Sequence, residues 1–155
     1  MLAVIRYEFP YQVVYLLHIV TIIVAFSAAF VHPRLGALGS RLPGDSARPL
    51  HQTIVDGSVK IHFPALVLAG LFGAVLVVLS DGIYDFAQLW ISLAFLVWFA
   101  MLAVLFFLLI PAERALAAGA GDEPRKKTAM YGGVLHLLLL VMLVLMVWKP
   151  GSGLS

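Results

Sequence analysis

Four long apolar runs, at about 11–31, 63–80, 85–110 and 130–148, carry almost no charge and make up more than half of this chain. A helix needs ~20 apolar residues to cross a bilayer, and each run is close to or above that length. In hydrocarbon every backbone polar group must be satisfied within the structure, so runs of this length are read as helices. The expected fold is all-α: a single domain over 1–155, built as an integral membrane bundle of four transmembrane helices. Composition agrees, with 63% hydrophobic residues, 12% charged residues and a mean hydropathy of +1.04, far outside the range of soluble domains.

The first span opens behind Pro10, where a first helical turn tolerates proline, and closes before His32-Pro33. It is too long for a signal-peptide core and reads as a retained helix. A polar connector follows to about residue 62. Within it, an interfacial segment at about 45–60 has Asp45 or Ser46 as its expected cap. Asp81-Gly82 turns the chain between the second and third spans, and Pro111 marks the exit of the third. Glu113 and Arg114 then read as an interfacial stop. The fourth span ends at Trp148, an aromatic anchor, followed by Lys149-Pro150-Gly151.

Charge sets the orientation. Arg34, Arg41, Arg48 and Lys60 lie in the first connector, and Arg114, Arg125, Lys126 and Lys127 lie in the third. Only Arg6 and Lys149 face the other way, so the positive-inside rule puts both termini on the non-cytoplasmic side. The expected location is a bacterial inner (cytoplasmic) membrane, crossed several times.

Several chemistries are excluded by residue type. With no cysteine there are no disulfides, thiolate metal sites or cysteine nucleophiles. No glycine-rich phosphate loop and no grouping of Ser, His and acid is present, and every acid falls at a span end or in a connector, which argues against a proton or ion relay. The basic residues flank apolar segments as topology determinants do, so nucleic acid is not an expected partner.

Histidines carry what chemistry remains, because an ionisable side chain inside the membrane is by default a functional candidate. His18 sits about seven residues inside the outer end of its span, roughly 10 Å deep, and His136 about twelve residues in, roughly 18 Å deep. That offset of about 8 Å speaks against the two sharing one iron. His18 is the leading haem or metal ligand, with an interhelical hydrogen bond to a backbone carbonyl as its structural alternative. His136 is a second candidate. His32, His51 and His62 read as solvated or headgroup-facing, with a cytoplasmic metal site as the alternative. Arg34, directly after Pro33, is the expected holder of ligand carboxylates. In the second span Ala65, Ala69 and Gly73, with Gly70 and Ala74, make a thin face for close helix packing or a flat ligand.

Leu17-His18-Ile19, thirteen further residues, and Pro33-Arg34-Leu35 resemble the first helix of the HemJ-type protoporphyrinogen IX oxidases, and Lys149-Pro150 resembles the end of that family's last helix. The third span departs from the pattern, with Trp90-Ile91-Ser92-Leu93 where the family carries a basic residue, and Gly133 stands where its last helix often has an acid. The wider group of four-helix relatives, including CopD-type domains, is therefore also similar. The resemblance implies four membrane helices, haem b held by a histidine, and His18 with Lys149 as haem or substrate-site residues.

Two functional classes follow. One is a haem b- or porphyrin-binding protein with a redox or haem-biosynthetic role, using His18, Arg34, Lys149 and His136. The other is a non-catalytic accessory subunit of a larger respiratory or transport complex, without its own cofactor. Copper handling is a third possibility. The bilayer is the certain partner, and a homo-oligomer or larger membrane complex is expected.

Overall fold

A computed structural model describes residues 9–42 and 44–151, with backbone only at 44 and 45. Arg6 and the side chain of Asp45, used above for orientation and capping, lie outside the described residues. Among the described residues four long helices build the bundle: α1 (Phe9–Gly39), α2 (Arg48–Val78), α3 (Leu89–Ala117) and α4 (Asp122–Trp148). All four are long and apolar enough to cross a membrane. The structure is all-helical, as the sequence predicts, and it is read as a multi-pass membrane protein.

The helices run up and down. The connections α1–α2 and α3–α4 meet at one end, where Arg48 and Gly121 line a common cleft. At the other end Asp81 and Gly82 take positive φ in the turn between α2 and α3, and the Asp85 carboxylate accepts from the Ala87 N–H at 2.7 Å. At the centre Ala25, Leu66, Met101, Leu105, Leu135 and Leu139 pack into a common core drawn from all four helices. Many other apolar side chains face outward, as with Phe107 at 68% exposure and Val78 at 71%. Lipid takes the place that a second layer of protein would hold in water.

The helices overrun the sequence-predicted spans. At 1.5 Å per residue they are ~40–47 Å long, against ~30 Å of hydrocarbon. The excess collects at the end that bears the charged connectors. There α1 continues through Pro33 to Gly39, and α3 continues through Pro111 to Ala117. The segment expected as a separate interfacial piece is, from Arg48 onward, the first half of α2, and Ala47 precedes it without a side-chain cap.

Proline explains the shape of α2 and α3. A proline inside a helix lacks an N–H and its ring clashes with the carbonyl four residues back. In α2 the turn Ser58–His62 is π-helical and Pro64 follows two residues later; in α3 the turn Val104–Leu109 is π-helical and Pro111 follows two residues later. The carbonyls that the prolines would strike, at Lys60 and Phe107, lie inside these wide turns. Each turn closes just before its proline: Phe63 N–H donates to the Ser58 carbonyl and Ile110 N–H to the Leu105 carbonyl, both five residues back.

Candidate functional site: a polar-floored cavity at the charged end

In the half of the bundle away from the charged connectors, rings fill the thin face of α2. Trp98 of α3 donates its indole N–H to the Leu66 carbonyl at 2.8 Å and lies directly over Gly70. His18 of α1 donates from Nδ1 to the Ala69 carbonyl at 2.8 Å, its ring against Gly73. Residues 66, 69, 70 and 73 share one helical face, so the small-residue stripe is occupied by two side-chain rings. His18 thus makes the interhelical hydrogen bond that the sequence left open as its structural alternative, and its Nε2 keeps a lone pair.

Lys149 is engaged at the same end. It closes α4 in the left-handed conformation, and its Nζ donates to the Tyr84 hydroxyl at 3.2 Å. The ammonium also lies 5.1 Å from the Tyr84 ring centre and 5.4 Å from that of Trp90, within cation–π range. No described contact joins Lys149 to His18, which the family resemblance would pair. Arg34 is exposed on α1. Although Pro33 and Gly36 beside it line the cavity described next, Arg34 does not.

At the charged end a cavity of about 480 Å³ opens among all four helices, within the size range of small-molecule sites. One wall is α1, through Ala28, Ala29, Gly36 and Ala37; the facing wall is α4, through Ala129, Gly132 and Gly133. An added Cβ at Gly36, Gly132 or Gly133 would meet no heavy atom within 4 Å. Small residues thus open a slot on both walls, bordered by His32, Pro33 and Ser40 on α1 and by Arg125, Thr128, Leu135 and His136 on α4.

Polar groups converge on it. His136 of α4 lines the slot, donates from Nδ1 to the Gly132 carbonyl at 2.7 Å, and meets Phe30 edge-on at 5.6 Å. That bond fixes the tautomer and leaves Nε2 as an acceptor. His32 of α1 packs over Gly57, with Nδ1 at 3.2 Å from Ser58 Oγ and 3.9 Å from Glu113 Oε1. Ser58 thus lies between His32 and the region of the Glu113 carboxyl.

The floor departs most from the sequence reading. Glu113, expected as an interfacial stop, and His62, expected to be solvated, are each 3% exposed. Both line the cavity, and both leave a buried polar atom without a partner: Glu113 Oε2 and His62 Nδ1. Thr128 Oγ1 is a third such atom on the cavity wall. Each such vacancy costs about 1–3 kcal/mol in a dry interior, so three around one cavity mark it as a place where a ligand's polar atoms would be matched. At the mouth, Arg125 and His51 border both this cavity and a smaller cleft shared with Arg48. Among the described residues no three of His, Asp and Glu are arranged to hold a bare metal ion.

The sequence named His136 but gave it second place, and it missed Glu113 and His62. Pro64 and Pro111 were the available signal. A proline two residues past a helical stretch containing His or shortly before Glu warns that the α-helical register breaks there.

No family model, curated protein or solved structure matches this chain.

Proposed function

We propose that the slot between α1 and α4 binds haem b or a closely related tetrapyrrole, with His136 as its nitrogen ligand and Arg125 and His51 receiving the carboxylates. The observation that carries this reading is the slot itself: two facing walls of Ala and Gly, with an imidazole beside them whose Nε2 is free because Nδ1 is spent on Gly132. A planar, mostly apolar macrocycle with an acidic edge matches flat apolar walls and a basic mouth. Metal-ligating histidines usually donate their other N–H to a backbone carbonyl, as His136 does. When bound, an iron porphyrin supplies one-electron redox chemistry; the chain supplies the ligand, the dry walls and the carboxylate clamp.

His18 and Lys149 become packing residues under this reading. The positive-inside pattern supports placing the slot at the cytoplasmic boundary and both termini on the opposite side.

The test is a visible spectrum, oxidised and dithionite-reduced, of the detergent-purified protein supplied with hemin, beside His136→Ala and His18→Ala. The expected result is a Soret and α band altered in His136→Ala and unchanged in His18→Ala. Bands altered only in His18→Ala return the site to the outer half. A colourless wild type replaces this reading with the accessory-subunit one.

A further inference from the structure

We propose that His62 of α2 is a second nitrogen ligand for the same haem, in addition to His136 of α4, and that Glu113 is the positioning residue that orients it. This rests on the haem reading above and adds a ligand that the sequence did not single out.

The first ground is how the histidines spend their nitrogens. His18 and His136 each send Nδ1 to a backbone carbonyl, and His32 sends Nδ1 to Ser58. His62, by contrast, is buried to 3% exposure with Nδ1 unpartnered, on the wall of the slot that His136 also lines. The two imidazoles line the same cavity. Unlike His18 and His136, they belong to the same end of the bundle. The depth mismatch that argued against a shared iron for the first pair does not apply to this one.

The second ground is the neighbouring vacancy. A ligating imidazole commonly directs its other N–H to a carboxylate, which fixes the ring and raises its basicity. Glu113 Oε2 is a buried acceptor with no donor, and His62 Nδ1 is a buried ring nitrogen with no partner. His32 touches both residues, meeting the His62 ring edge-on at 6.4 Å and lying 3.9 Å from Glu113 Oε1. His62 would then ligate through Nε2, leaving its unpartnered Nδ1 as the N–H available to Glu113 Oε2. The chain spends a π-helical turn on each side to bring them here, Ser58–His62 in α2 and Val104–Leu109 in α3, and such turns recur at functional sites.

The experiment uses the full chain in detergent micelles with hemin, read by visible and electron paramagnetic resonance spectra and by potentiometric titration. Wild type is expected to hold six-coordinate, low-spin ferric haem. His62→Ala is expected to retain haem but turn high-spin, with low-spin signals restored by added imidazole. His62→Met, which keeps the volume, gives a mixed methionine–histidine spectrum and decides the matter where the alanine variant fails to fold. Glu113→Gln keeps the low-spin signal and shifts the midpoint potential to more positive values, because the ligand loses basicity. Haem uptake with a high-spin wild type, or a low-spin spectrum indifferent to both His62 variants, overturns the second ligand and leaves the cavity reading standing. An unchanged potential in Glu113→Gln removes the positioning role. A wild type that takes up no haem overturns both readings.

Discussion

The two halves of the bundle use the same residue types to opposite ends. In the half away from the charged connectors Gly70 and Gly73 let rings come down onto the backbone, and the ring nitrogens of Trp98 and His18 find carbonyls there. In the half that bears the charged connectors Gly57 and Gly39 likewise admit His32 and His51. Gly36, Gly132 and Gly133, however, face open space, and His62 and Glu113 keep unmatched polar atoms. A glycine in a membrane helix is thus a packing device where a ring covers it and a wall where nothing does. What separates the two cases is whether nearby polar atoms are already satisfied.

Gly70→Ala should widen this contrast most. Its Cβ would come within overlap distance of the Trp98 ring, so the indole must leave the Leu66 carbonyl. We expect a loss of about 3 kcal/mol, read as the shift in an SDS-unfolding midpoint; a midpoint near wild type would mean the half around His18 is looser than described. His18→Ala follows, at about 2 kcal/mol for the lost hydrogen bond and packing, with hemin binding intact. A third substitution runs the other way. Glu113→Met removes an unmatched buried carboxyl and should raise stability by about 1 kcal/mol while weakening hemin binding; thermal melts and hemin titration on the same preparation check both. Gly133→Ala should change stability least, by about 0.5 kcal/mol or less, because its Cβ meets no neighbour. A large loss there would show that the slot closes in the membrane.

The four helices were legible because hydropathy and length alone determine them, and so was the Asp81-Gly82 turn, where backbone chemistry is local. Helix ends were less so. Pro33 and Pro111 read as stops, yet the chain runs helically through both, since neighbouring helices and wide turns absorb the missing bonds. His136 could be singled out by its depth, and His18 as well, but a strip of sequence does not say which imidazole meets a carbonyl across the bundle. Glu113 and His62 were hidden for a related reason. The sequence places each outside a span, His62 in the polar connector and Glu113 beyond the Pro111 exit, whereas the helices run on through both positions.

Those changes of register bear on how this chain tolerates gain or loss of length. A π-helical turn holds one residue more than an α-helical ladder requires. Deleting one residue from 58–62 or 104–109 lets the ladder close while the flanking segments keep their faces toward the core and the lipid. The same deletion two turns away rotates one flank past the other by about 100°. A change of length is therefore absorbed more readily within these two turns than elsewhere, at the cost of bringing the Lys60 or Phe107 carbonyl back against its proline.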